Sequence, residues 1–316
     1  MIFLLLLCQA ILLVYCQDTS LLSSLSAQPR LSNFTALVRR YAGLIDAISG
    51  AGSGFTVIAP TDAALATYDQ SNFGVGNITQ WQQAILSYHI LRGVWPYQTL
   101  DDRNTSRSLP TFLSSPEYTN VTGGQVVISD TFNGAALLYS ANKSPSRFIQ
   151  QDILFTGGLI HIVDAALQLP RDVYSTLNDN TDEWSAFAAL FKVPQYQNYI
   201  TNGFGNLTYR NDMTYIVENS TEFAASINNG TYQVSDSQAL QNIQYYMIGS
   251  AVYTSLMTNG STFQSVQGTN ITVTVLDGDI YLNAAKIVAS DYLVSNGVMQ
   301  VINRHVSCTI TTTARS

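Results

Sequence analysis

The sequence predicts an α+β chain of two tandem domains, and two observations carry that prediction. The first is an internal repeat. FTVIAPTDAAL at 55–65 is matched by MTYIVENSTEF at 213–223, and YHILRGV at 88–94 by YMIGSAV at 246–252. The shift is the same in both pairs: 214 − 56 = 158 and 246 − 88 = 158. A third pair, DILFTGGLIHIVDAAL from 152 and DYLVSNGVMQVINRHV from 291, is offset by 139, which places a 19-residue insertion (158 − 139) in the first copy. Copies of this size are compact domains, because solenoid repeats are far shorter. The second observation is order: in each copy helical spacing comes early and strand-like runs come late, the α+β pattern.

In the first copy, Phe34, Leu37, Val38, Tyr41, Leu44 and Ile45 follow helical spacing, with Ser32 or Asn33 as the cap. After a glycine-rich turn at 50–54, Phe55 to Ala59 form a β-branched strand stopped by Pro60. Thr61 or Asp62 caps a helix from Ala63. A second helix starts at Thr79, with Gln82 completing a capping box and Trp81, Ala84, Ile85 and Tyr88 as its apolar stripe. Val126 to Ile128 is a strand followed by an Asn133-Gly134 hairpin turn, and Leu159 to Val163 is the closing strand. In the second copy, a helix is expected near 182–191, a strand over Met213 to Val217 and a helix over Ser237 to Ile248. Strands follow at Ile271 to Leu276, Ile280 to Asn283 and Val298 to Ile302, with a turn at Asp277-Gly278-Asp279. The domain boundary falls at Pro170-Arg171, dividing the chain into 17–170 and 171–308 with a polar tail at 309–316.

The boxes resemble the fasciclin family, whose unit is the FAS1 domain. Thr56-Val57-Ile58-Ala59-Pro60-Thr61-Asp62 looks like the family's first box and Tyr88-His89 like its central Tyr-His pair. Gly158 to Leu167, closed by Pro170, looks like its final box. The second copy departs from the pattern: Glu218 stands for Pro60, Met247 for His89 and Gln300 for His161. The resemblance implies two FAS1 domains, each a twisted β-sandwich wedge with helices packed at one end. It also implicates Tyr88, His89, Asp152 and Ile153 in binding, because animal relatives use the Tyr-His segment and the Asp-Ile dipeptide in integrin adhesion. Tyr88 lies on the apolar stripe, and His89 reads equally as a packed polar group bonded to neighbouring backbone.

Residues 1–16 are almost wholly apolar and too short for a comfortable membrane span, so they read as a secretory signal peptide. Cys8 and Cys16 leave with it. Cys308 then stands alone in the mature chain and no intrachain disulfide is expected. The tail after Thr309 has no apolar run that would serve as a GPI signal. Ten Asn-x-Ser/Thr sequons, at Asn33, Asn77, Asn104, Asn120, Asn142, Asn206, Asn219, Asn229, Asn259 and Asn270, then acquire a mechanism as N-glycan acceptors.

Charged residues make up 11% of the chain, the net charge is −7 and lysine and arginine form no cluster. Nucleic acid and anionic membranes are therefore disfavoured as partners. The glycine-rich turn at 50–54 lacks the Lys-Ser/Thr ending of a phosphate loop and precedes a strand. No nucleophile elbow and no metal-ligand spacing accompany His89, His161 and His305. Neither cofactor nor metal is expected, and catalysis is not. The expectation is an extracellular or cell-surface adhesion or cell-wall protein acting by contact with a matrix, wall or surface protein or glycan. The alternative is a carrier holding a small apolar or lipid ligand in a domain cleft.

Overall fold

The computed structural model describes residues 19–50, 52, 54–68, 78–102, 105–180, 184, 193–196 and 210–304. The expected leader, most of the helix near 182–191, the sequons at Asn77, Asn104 and Asn206, His305, Cys308 and the tail lie outside them.

The N-terminal half opens with three helices: α1 (Leu21–Ser26), α2 (Ser32–Arg40) and α3 (Ala42–Gly50). A single helix was expected across the last two; Tyr41, at φ −111° and ψ 38°, breaks it. Neither Ser32 nor Asn33 caps α2. Its first amides are capped from a distance by Asp62, which accepts from Asn33 N–H at 2.8 Å and from Ser32 N–H at 3.2 Å. Thr61 caps α4 (Asp62–Ala66), accepting from Ala64 N–H at 3.2 Å. Thr61 and Asp62 of the first box thus cap two different helices, satisfying amides that a helix start leaves without partners.

Helix α5 (Ile78–Tyr88) begins one residue before Thr79. Thr79 thus lies inside the helix, and Gln82 Oε1 accepts from the Tyr41 hydroxyl at 2.9 Å and from Arg40 at 3.0 Å, tying α5 to the end of α2.

The strands of this half are β1 (Phe55–Pro60), β2 (Ile90–Arg92), β3 (Arg107–Pro110), β4 (Val126–Phe132), β5 (Ala135–Tyr139), β6 (Pro145–Phe155) and β7 (Gly158–Val163), with the one-turn helix α6 (Tyr97–Leu100) after β2. They form one sheet in the order β2-β1-β7-β6-β5-β4-β3. All pairs are antiparallel except β1 with β7, which run parallel from Phe55↔Gly158 to Pro60↔Val163. Helices cover both faces of β1, so all six of its residues are buried and all but Thr56 are apolar. One face packs Val57 and Ile160 against Leu25, Phe34 and Val38, and the other packs Ile58 against Ile85, Tyr88 and Leu167. Gly158 is required by this closure. A Cβ there would lie 1.8 Å from the Phe55 carbonyl oxygen.

The C-terminal half repeats the design. Helices α7 (Val173–Asp179), α8 (Thr221–Asn228) and α9 (Asp236–Tyr245) accompany β8 (Met213–Glu218), β9 (Met247–Ile248), β10 (Thr262–Gln264), β11 (Asn270–Leu276), β12 (Asp279–Leu282), β13 (Ala285–Val294) and β14 (Gly297–Ile302). The order β10-β11-β12-β13-β14-β8-β9 is the same sheet read from the other edge, with β8 and β14 as its parallel pair. Met247 and Ile248, expected at the end of a helix, form the short strand β9. The turns Asn133-Gly134 and Asp277-Gly278 have positive φ at both residues, the geometry of tight two-residue hairpins.

Contacts between the halves are specific. Leu293, Val298 and Tyr253 of the second pack on Val126 and Ile128 of the first. Thr122 donates its N–H and its hydroxyl to the Asp212 carboxylate at 2.7 and 2.5 Å. Gln125, fully buried, donates to the Val294 carbonyl at 2.9 Å. Asn120 N–H donates to Ser295 O at 2.7 Å.

Candidate functional site

Four residues were singled out from the sequence, and the fold divides them between two places. Tyr88 ends α5 and His89 follows it inside the core, both with no exposed surface. The Tyr88 hydroxyl donates to Val126 O at 2.9 Å, and burial raises its pKa well above the ordinary 10.0. His89 Nε2 accepts from Leu167 N–H at 2.9 Å, so Nδ1 carries the proton and donates to Ile85 O at 2.8 Å. Burial lowers its pKa from 6.5 to about 4, the hydrogen bond to Ile85 offsetting part of that effect. The neutral ring joins α5 to the segment after β7.

Asp152 and Ile153 lie in β6, at a bulge where the register to β7 shifts. Asp152 has φ 53° and an exposed carboxylate whose Oδ1 accepts from Tyr97 N–H at 2.9 Å, capping α6 from another element. Its own N–H donates to His161 Nδ1 at 3.2 Å, and His161 Nε2 donates to Trp95 O at 2.8 Å. The His161 ring is buried, and desolvation lowers its pKa despite the Trp95 carbonyl and the Asp152 carboxylate. The 3.9 Å approach of His161 to Asp152 is therefore a contact of a neutral ring at neutral pH. Ile153 is half-buried against the α1–α3 side of the core.

The second half reproduces this device with different side chains. Asp291 sits at φ 54° in the β13 bulge and accepts from Thr254 N–H at 3.0 Å and from the Thr254 hydroxyl. Its N–H donates to Gln300 Oε1 at 3.1 Å, and Gln300 Nε2 donates to Val252 O at 3.0 Å. A further shared contact was missed from the sequence. Thr56 Oγ1 donates to Gly93 O and accepts from Trp95 N–H, and Thr214 Oγ1 donates to Ser250 O and accepts from Val252 N–H. The signal was present, since Thr56 and Thr214 match within the first box at the 158-residue shift.

Nothing in these constellations assembles a nucleophile with a base: both imidazoles spend both nitrogens on backbone groups. Among the described residues no group of three His, Cys, Asp or Glu could hold a metal ion, and no helix is long and apolar enough to cross a membrane. A cleft of about 280 Å³ lies between α2, α4 and α5, lined by Leu37, Leu65, Tyr68, Trp81 and Ile85 with Asn33 at its edge. Of the seven sequon asparagines described, Asn33, Asn142, Asn219, Asn229, Asn259 and Asn270 are exposed and Asn120 is half-buried.

The sequence matches the Fasciclin domain family over residues 29–170 and 182–307. It is 25% identical over 288 residues to a fasciclin-like arabinogalactan protein, elcF, of Phaeosphaeria nodorum, covering 90% of this chain and 87% of that one. A fasciclin-like arabinogalactan protein of Arthroderma benhamiae is 25% identical over 222 residues, 68% of this chain and 50% of that one. The solved FAS1 domain pair of the insect cell adhesion molecule Fasciclin I aligns with a TM-score of 0.40 at 15% identity, covering 88% of this chain and 97% of that one.

Proposed function

Because the chain belongs to the Fasciclin domain family, we propose that it is a secreted, N-glycosylated protein of two FAS1 domains that acts in adhesion or cell-wall organisation by surface contact. The observation that carries this reading is where the polar chemistry sits. Tyr88, His89 and His161 are spent on internal hydrogen bonds, whereas six of the seven described sequon asparagines face solvent. A partner therefore meets sugars and exposed loops. The relatives named as fasciclin-like arabinogalactan proteins agree with a glycan-rich, wall-associated setting. The domain boundary of this reading is Pro170-Arg171, and the leader is residues 1–16.

The experiment is expression in a host that secretes, followed by treatment with an N-glycan-removing enzyme and by binding to isolated cell-wall fractions. A protein released to the medium, shortened on a gel by the enzyme and retained by wall material fits the proposal. Retention inside the cell with unchanged mobility removes it.

The cleft beside α5 favours a second reading, a carrier. At about 280 Å³ it falls just below the usual run of ligand sites, about 300 to 1,000 Å³. Its lining is mostly apolar, which suits a small apolar ligand, and Asn33, a sequon asparagine, is among the residues around it. Native mass spectrometry of the secreted protein tests it: a bound small molecule lost in Trp81→Ala supports the carrier.

A further inference from the structure

The contact between the two domains is a plug in a socket. The plug is the β13–β14 hairpin, where Leu293 pairs with Val298. The socket is the outer face of β4, where Val126 and Ile128 receive them with Tyr139 packed alongside.

Each domain carries its own copy of both parts. The 139-residue shift puts Leu154 and Leu159 in the places of Leu293 and Val298, and they pair across β6 and β7 in the same way. Leu293 is fully buried by the first domain, whereas Leu154 is 73% exposed. Leu159, its partner, is already buried within the first domain, so the part of the plug that the first domain displays is Leu154.

The sockets differ. Phe132 pairs with Ala135 across one two-residue turn and Leu276 with Asp279 across the other, which aligns β4 with β11 at a shift of 144 (276 − 132). Val126 and Ile128 then correspond to Asn270 and Thr272, and Tyr139 to Asn283. The parity is right, because the residues between them, Val127 and Ile271, both point inward and are buried. Asn270 and Thr272 are exposed. They are also the first and third residues of the sequon Asn270-Ile271-Thr272.

A plug that enters a different surface on its neighbour is a heterologous contact, and repeating it makes an open filament. A second copy of this chain would extend the array by placing its Leu154 on β11. We propose that Asn270 and Thr272 are the stop that prevents this: polar side chains in the place of the apolar socket, reinforced by a glycan where the sequon is used. The side chains suffice, and the sugar adds bulk over the same face. Gly54 stands where the second domain has Asp212, so the Leu154 plug lacks the carboxylate anchor to Thr122. Docking onto an opened socket is then weaker than the contact within the chain and depends on concentration.

The test compares three full-length proteins after enzymatic removal of N-glycans: the parent, N270V/T272I, and N270V/T272I with L154D. Thermal unfolding first establishes that each is folded. Sedimentation velocity over a concentration series should then show a monomeric parent, a double variant that forms dimers and longer species, and a triple variant returned to monomer. A double variant that stays monomeric at its highest soluble concentration overturns the proposal. So does association that persists with L154D, or a parent that associates as strongly as the double variant.

Discussion

Gln300 makes in the second domain the two hydrogen bonds that His161 makes in the first. Each side chain accepts from the N–H of an aspartate held at positive φ, Asp291 or Asp152, and each donates to a carbonyl, Val252 O or Trp95 O. The position selects for one acceptor and one donor at the right reach, not for a titrating group. His161→Gln should therefore cost less than about 1 kcal/mol, while His161→Leu should cost about 1–3 kcal/mol by leaving two part-buried backbone groups unmet. Denaturant unfolding of the two variants beside the parent checks this.

Acid should destabilise the first domain through its two buried rings. Burial lowers the pKa of His89 from 6.5 to about 4 and lowers that of His161 in the same direction. Between those values the unfolded chain binds protons that the folded one excludes, so stability falls as pH drops from 6.5 toward 4. At about 1.4 kcal/mol per pKa unit, His89 alone accounts for about 3 kcal/mol across that window. His161→Gln removes one of the two sites, so its loss of stability from pH 7 to 4.5 should be smaller than the parent's.

The closing glycines should tolerate nothing larger. Gly158→Ala drives a Cβ to 1.8 Å from Phe55 O, and Gly297→Ala does the same at Met213 O. Either should cost about 4 kcal/mol or more, the range reserved for a broken core. Gly43→Ala provides the contrast. It lies exposed in α3 with nothing within 4 Å of a new Cβ, and should gain up to about 1 kcal/mol from helix propensity. Expression level and unfolding midpoint report both.

Gln125 should couple the domains. Its Nε2 donates to Val294 O and its Oε1 accepts from Val126 N–H at 2.9 Å. Gln125→Leu leaves both without partners, at about 1–3 kcal/mol. Calorimetry of the full chain should resolve two transitions in the variant where the parent gives one; a single unchanged transition rejects the coupling.

How much of this was legible in the sequence depends on whether a contact is local or distant. Matching boxes revealed both domains and the first and last strands, and local residue types revealed the turns at Asn133-Gly134 and Asp277-Gly278, because these features depend on neighbouring residues. Thr61 caps α4 as its spacing predicts, whereas the cap of α2 was misassigned because Asp62 acts on a helix thirty residues away, which spacing does not encode. Tyr41 interrupts a run whose apolar periodicity continues through it. The burial of Tyr88 followed from the helical stripe, whereas the role of Asp152 required a bulge that alternation alone does not reveal. Leu154 reads as an ordinary exposed leucine, and only the burial of its copy, Leu293, sets it apart.

The parallel pairing of first strand with last has a consequence for synthesis. Phe55 meets Gly158 across 103 residues (158 − 55), and Met213 meets Gly297 across 84 (297 − 213). Loop closure over such spans makes for high contact order and slow folding. On the ribosome, β1 emerges with one edge unpaired and waits until almost the whole domain has followed it. Asn77, Asn104, Asn120 and Asn142 all pass through that interval on an open chain. Under the secretory reading proposed above, Asn120, half-buried and clasped through its backbone by Ser295 and Asp212 in the finished fold, is most open to the glycosylation machinery as a nascent segment. On that reading the order of assembly, as well as the finished surface, governs whether that asparagine carries a sugar.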